Sequence, residues 1–408
     1  MKANPLLQRA AAMSRPDLAL WASLLLIGAL LAGCATPPPP AASTDEVAFE
    51  QAVAQATDNL MAQTQKLPAF VAKLTGTRAV VIDPMFESPS GQQTALTRQL
   101  EERVTMRLRG NQFEVLPFQP ASLGKAQYLL TGTLTRVQAA AKAGGRPPFQ
   151  IDLALTDTKN GMVVAQSSSR ARDDNLDTTP TPYYRDSPIL VKDGVVDGYI
   201  RTSATQPGKP ADPAYFQRVT TAATINEATQ LYNGDRYQEA LDLYKTVLAT
   251  PSGEQMRTLN GIYLTCMKLG KNTEAEQAFG KVVAYGIANN NLGVKFLFKP
   301  NSTDFWPDPK ISGPYPIWLR QIARYSASEK VCMNVVGHTS RTGSEPYNDR
   351  LSEQRATAIR QKLAAEAPEL VTRTKASGVG FRENIIGTGT DDATDALDRR
   401  VEFKIVGC

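Results

Sequence analysis

The spacing of apolar residues changes along this 408-residue chain, so one layer of one element type cannot bury all of it. Phe149-Gln-Ile-Asp-Leu-Ala-Leu155 alternates, as a strand with one covered face does. Leu96, Leu100, Val104 and Leu108 recur at every fourth position, the spacing of one helix face. From residue 219 onward only the helical spacing is found until about residue 285, and both kinds return after residue 292. The chain is therefore expected to be a multidomain α/β (α+β) protein, with a helical stretch between two mixed ones.

In the first mixed stretch, Val47 to Lys66 reads as a helix and Arg78-Ala-Val-Val-Ile-Asp83 as a buried strand. A helix over Thr94 to Arg109 follows, then strands at Phe113 to Pro117 and Ala126 to Leu134. Met162-Val-Val-Ala-Gln166 should pair with the 149–155 strand across the turn Thr158-Lys-Asn-Gly161. This order is similar to the small α/β domains of envelope lipoproteins, such as those that activate penicillin-binding proteins or form curli-type secretion pores. Residues 171–218, rich in Asp, Thr and Pro around the pair Tyr183-Tyr184, are expected to be a disordered loop or linker.

Four helices are expected over 223–231, 237–248, 255–269 and 273–285. Gly234-Asp-Arg-Tyr-Gln-Glu-Ala240 recurs as Gly270-Lys-Asn-Thr-Glu-Ala275, and Ala240 with Tyr244 stands 35 residues before Ala275 with Phe279. That spacing resembles a pair of tetratricopeptide repeats. The small alanine lets paired helices approach and the aromatic fills the space beside it, so both are packing residues first. The resemblance implies an envelope protein partner on the concave face; a plain helical spacer is the alternative.

At the start of the chain, Lys2, Arg9 and Arg15 precede an apolar run from Leu18 to Leu31. The run is shorter than the roughly 20 residues that span a bilayer, so it reads as a signal-peptide core. Leu31-Ala-Gly-Cys34 resembles the lipobox of bacterial lipoproteins, which implies acylation of Cys34. Ala35 in place of an aspartate implies the outer membrane, with the protein anchored by lipid and not spanning it. The stretch Thr36-Pro-Pro-Pro-Pro-Ala-Ala-Ser-Thr44 would be a tether reaching roughly 25 Å. Net charge is +5, of which the leader supplies +2, leaving a well-mixed remainder near +3 and no electrostatic case for nucleic acid.

The last stretch carries the sharpest motifs: Val335-Val-Gly-His-Thr-Ser340, Tyr347-Asn348, Leu351-Ser352 with Arg355-Ala356, and Asp398-Arg399-Arg400-Val401-Glu402. Together they resemble the OmpA-like peptidoglycan-binding domain, over about residues 292–408. The resemblance implies a mixed-sheet α/β sandwich with helices on one face, a bacterial envelope address, and peptidoglycan containing diaminopimelate as the ligand. It implies that Arg355 grips the ligand's carboxylate, since a guanidinium fork can donate two parallel hydrogen bonds. Asn348, Thr339, Asn301 and Arg399 are carried over as partners, although one of Arg399 and Arg400 is expected to hold the sheet to the helices. Ser340 departs from the family, which has an aspartate there for the ligand's ammonium group. Weaker binding, binding to an altered stem, and a domain that kept the fold but lost the ligand all remain open. Asp304, Glu345 and Asp349 are candidates for the missing charge.

Strands are expected at 294–298, 332–336, 374–379 and 401–406, with helices over 317–326 and 348–365. Cys332 and Cys408 end two of these strands and could bridge if the strands are antiparallel neighbours, leaving Cys266 a buried thiol. One histidine and scattered cysteines exclude the usual zinc spacings, and His338 reads as structural. No cofactor or nucleophile–base pair is indicated, so a non-enzymatic protein is expected. The expected layout is a signal peptide (1–33), lipidated tether (34–46), α/β domain (47–170), linker (171–218), repeats (219–288) and OmpA-like domain (290–408). The function expected is an outer-membrane lipoprotein that binds the wall. The alternative is an adaptor of a secretion, motility or wall-synthesis machine in which the N-terminal and repeat modules bind the partner.

Overall fold

Alternation along the strands sends neighbouring residues of the first sheet into two different cores. A computed structural model describes residues 45–408, apart from 65–77, 112, 138–147, 174, 300, 388 and 390–393. The leader, Cys34 and the tether lie outside the described residues. The first sheet comprises β1 (Glu46–Val47), β2 (Arg78–Ile82), β3 (Phe86–Glu87), β4 (Phe113–Leu116), β5 (Tyr128–Arg136), β6 (Phe149–Asp157) and β7 (Val163–Ala171). Its order is β1-β7-β6-β5-β2-β4, with β3 added beside β5. Strands β5, β6 and β7 run antiparallel, while β2 is parallel to β4 and β5.

Val80, Ile82 and Leu130 face helices α1 (Phe49–Thr64) and α2 (Ala95–Arg109), packing with Phe49, Val53, Leu100 and Val104. Val81 and Leu129 point the other way, into a second core that continues through the rest of the chain. Thr94 caps α2, accepting from the Thr97 amide (3.3 Å) while the Thr97 hydroxyl accepts from the Thr94 amide (2.9 Å).

The segment expected to be a disordered linker is folded. Helix α3 (Pro120–Leu123) precedes β5, and within the segment run the short helices α4 (Pro182–Asp186), α5 (Gly194–Ser203) and α6 (Pro213–Phe216). Tyr183, Tyr184, Tyr199 and Tyr215 are all at most 1% exposed. Their hydroxyls reach across the structure: Tyr199 accepts from the Gly132 amide (2.9 Å), Tyr215 donates to Asp83 (2.5 Å) and Tyr183 donates to the Arg257 carbonyl (2.6 Å). Aromatic burial with satisfied hydroxyls outweighs the loop-like composition around it.

Helices α7 (Val219–Asn233), α8 (Tyr237–Leu248), α9 (Met256–Lys268) and α10 (Asn272–Ala288) follow. Ala240, Tyr244, Ala275 and Phe279 are fully buried, as packing positions require. Gly261 on α9 lies against the Tyr244 ring, where an added Cβ would sit only 2.4–2.6 Å from ring carbons.

The second sheet has the order β10 (Thr374–Gly378), β9 (Cys332–Gly337), β11 (Val401–Val406), β8 (Gly293–Val294). β9 is parallel to β10 and antiparallel to β11. After the short α11 (Pro309–Ser312), helices α12 (Tyr315–Ser328) and α13 (Glu345–Glu366) cover the sheet through Ile322, Ala323, Ala356, Ile359 and Leu363, and α14 (Leu370–Arg373) follows. The strand expected over 294–298 is cut to two residues. Beyond Val294 the chain turns to other partners: Lys295 donates to the Pro188 carbonyl (2.8 Å), Leu297 to the Tyr315 hydroxyl (2.9 Å), and Phe298 bridges to Phe305. Cys332 and Val406 are directly paired, which brings the Cys332 and Cys408 sulfurs to 2.13 Å. Cys266 is a buried free thiol.

These parts share one core. Residues 188–190 extend the second sheet beyond β8, with the Leu190 amide donating to the Gly293 carbonyl (3.1 Å). The Trp318 indole donates to the Tyr263 hydroxyl (2.8 Å) and stacks on Phe279 at 5.8 Å. Because the Tyr244 ring is fixed on several sides, Gly261→Ala should overpack the α8–α9 contact and cost about 1–3 kcal/mol. Urea unfolding should show a lower midpoint with an unchanged slope; an unaltered midpoint would mean the ring can retreat.

Candidate ligand site on the C-terminal domain

Two glycines set the geometry of this site. A Cβ on Gly337 would lie 2.1 Å from the Ser352 carbonyl, and one on Gly378 would lie 2.3 Å from the Glu353 amide nitrogen. Only glycine lets α13 press its backbone onto the ends of β9 and β10. That contact sets the loop after β9, bearing Thr339 and Ser340, beside the N-terminal half of α13. Thr339 donates its amide to Gly380 (2.9 Å), and Gly380 donates to the Ser352 hydroxyl (3.0 Å). Thr339 and Ser340 are both buried.

Asn348, Ser352 and Arg355 share one face of α13, being spaced four and then three residues apart. The Asn348 amide donates to the carbonyls of Thr342 (2.7 Å) and Ser344 (3.1 Å), tying the preceding turn to the helix. Arg355 is 7% exposed and donates to the carbonyls of Ser302 (3.2 Å) and Lys299 (3.3 Å). Its guanidinium stands 4.9 Å from the centre of the Phe298 ring. Asn301, in the same loop, adopts a positive φ of 53° and accepts from the Tyr347 hydroxyl (2.6 Å). Lys299, Asn301 and Ser302 are thus held to α13 by Tyr347 and Arg355, and Thr339 and Ser340 lie on the loop that follows β9.

The two terminal arginines divide. Arg400 is 4% exposed, pairs with Glu402 (2.6 Å) and donates to the carbonyls of Leu397 (3.3 Å) and Glu383 (3.1 Å), a structural role. Arg399 lines a cavity whose walls include none of Thr339, Ser340, Asn348 and Arg355. Asp398 has a function the motif alone did not reveal: its carboxylate accepts from the amides of Ile385 (2.7 Å), Ile386 (3.0 Å) and Gly387 (2.7 Å).

The carboxylates considered as substitutes for an aspartate at 340 face protein cations. Glu345 (3.0 Å) and Asp349 (2.6 Å) both pair with Arg382, and Asp304 pairs with Lys299 (3.6 Å). Arg382 had no sequence signal, since it lies outside every motif.

His338 is buried, and its Nε2 lies 3.6 Å from Glu402. Burial lowers the imidazole pKa. His338, Glu383 and Glu402 come within 4.8 Å of one another, as metal ligands would. Arg400 and Lys404 already neutralise both carboxylates, with Lys404 at 3.2 Å from Glu383 and 3.7 Å from Glu402, so the group reads as an ion-pair network. Burial alone would raise the Glu402 pKa, but His338 and Arg400 outweigh it and hold the carboxyl down to about 2. The stability this supplies is present above the ordinary carboxylate pKa and is lost as pH falls toward 2. With His338 neutral at pH 7, Arg400 is the main partner then, so Glu402→Gln should cost about 1–3 kcal/mol, and the deficit should narrow from pH 5 to pH 3 in urea unfolding. A deficit constant across that range would mean that Glu402 acts by packing alone.

Comparison with known proteins places this region. The model of the OmpA family matches residues 297–396. Among solved structures, the peptidoglycan-associated lipoprotein from Burkholderia pseudomallei is 24% identical over 27% of this chain and 88% of its own, with a TM-score of 0.23. An outer membrane protein from Borrelia burgdorferi B31 is 25% identical over 28% of this chain and 88% of its own, with a TM-score of 0.22. The periplasmic domain of Helicobacter pylori MotB is 18% identical over 28% and 74%, with a TM-score of 0.23. The C-terminal region of this chain, over residues 297–396, is an OmpA family domain.

Proposed function

We propose that this protein is an outer-membrane lipoprotein that binds peptidoglycan non-covalently through its C-terminal domain and so anchors the membrane, or an envelope complex, to the wall. The observation that carries this reading is the setting of Arg355. The side chain is oriented by two loop carbonyls and an aromatic ring, on the helix face that also bears Asn348, and within the segment matching the OmpA family. A carboxylate of the diaminopimelate stem would pair with the guanidinium, since planar forks match carboxylates. Thr339, Ser340 and Asn348 would supply neutral hydrogen bonds, with Asn301 at the rim. Acylation of Cys34 would supply the membrane anchor, and the protein acts by binding, without turnover. The module before residue 290 would carry any protein partner.

Ser340 makes the ammonium contact neutral. A charge-assisted hydrogen bond is worth about 1.5–3 kcal/mol against about 1 for a neutral one, so the serine should weaken binding on the order of ten-fold. Residues 43–408 form one compact unit and are the material for the test. This unit should sediment with purified diaminopimelate-type sacculi, Ser340→Asp should tighten binding about ten-fold, and Arg355→Ala should abolish it. Thermal unfolding of Arg355→Ala separates lost contact from lost fold. If the wild type stays in the supernatant, wall binding is refuted and the adaptor reading takes its place.

A further inference from the structure

A cavity of about 490 Å³ opens where α4, the ends of α7 and α9, the β8 strand exit and α12 meet. This volume falls within the roughly 300–1,000 Å³ of small-molecule sites. Tyr232, Tyr263, Tyr315 and Trp318 give it aromatic walls. Several of their polar ends already have partners, as in the Trp318 indole to Tyr263 hydroxyl bond (2.8 Å) and the Leu297 amide to Tyr315 hydroxyl bond (2.9 Å), so these rings offer apolar faces.

The charge of the lining is one-sided. Five cationic residues (Arg185, Lys268, Lys295, Lys310 and Arg399) face one carboxylate, Asp186. Asp186 is engaged: Lys268 (2.8 Å), Arg185 (3.1 Å) and the Tyr232 hydroxyl (2.9 Å) all bind it. Burial alone would raise its pKa, but these partners outweigh it and keep the group ionised. Lys295 stands differently. It is half-buried, and its Nζ reaches the carbonyls of Tyr184 and Arg185 only at 3.4 Å. Burial pushes its ammonium down to about 8, which Asp186 only partly offsets. A desolvated ammonium with long contacts, beside an engaged carboxylate, is stabilised by an added anion.

We propose that this cavity binds a small organic anion, a carboxylate or sulfonate on an apolar body, with the acid group at Lys295 and the body against Trp318 and Tyr263. This site is independent of wall binding. The test uses two fluorescent probes on residues 43–408: 8-anilinonaphthalene-1-sulfonate and its uncharged counterpart N-phenyl-1-naphthylamine. The sulfonate should saturate a single site and bind more tightly than the neutral probe. Lys295→Met should weaken the sulfonate about ten-fold or more and leave the neutral probe unchanged. Lys310→Glu, on an exposed residue of the lining where folding is not at risk, should weaken the sulfonate several-fold. Equal affinity for both probes, no saturable sulfonate binding, or unchanged sulfonate affinity in both variants would overturn the proposal.

Discussion

A buried tyrosine must give its hydroxyl a partner, and in this protein that requirement fastens the parts together. Tyr199 and Tyr215 reach the first sheet at Gly132 and Asp83, and Tyr183 reaches α9 at Arg257. Tyr263 receives the indole of Trp318 from the C-terminal domain. Each bond places a large apolar ring in the second core and at the same time fixes where it sits. Without them, residues 171–218 would have little reason to order. The sheet, the helices and the C-terminal domain would then lose the material between them.

This accounts for what could be read from residues alone. The helices over 219–288 and the β9 and β11 strands were legible because each buries a face at its own period, as Ala240, Tyr244 and Val335 illustrate. The segment 171–218 was not, because its order comes from partners far away in the chain, and local composition carries no trace of them. β8 was overextended for a similar reason: Lys295 and Leu297 alternate like a strand but bond to Pro188 and Tyr315. In the C-terminal region, the shared helix face of Asn348 and Arg355 was legible from their spacing. Arg382 was not, since its pairing with Glu345 and Asp349 exists only once α13 docks.

The site itself rests on backbone more than on side chains. Gly337 and Gly378 bring α13 against the strand ends, and the carbonyls of Lys299 and Ser302 orient Arg355. The Asp398 carboxylate holds three consecutive amides of the 385–387 turn. Within this frame Ser340 is a buried neutral residue on the loop that follows β9.

The pairing of residues 188–190 with the edge of the C-terminal sheet bears on mechanics. Among the described residues, a pull that separates residues 171–288 from the C-terminal sheet meets a segment paired directly to that sheet. Extension must first rupture the Leu190 and Lys295 backbone bonds and withdraw Trp318 from Phe279. Under load these contacts would hold up to a rupture force, where an unpaired linker at 188–190 would lengthen gradually.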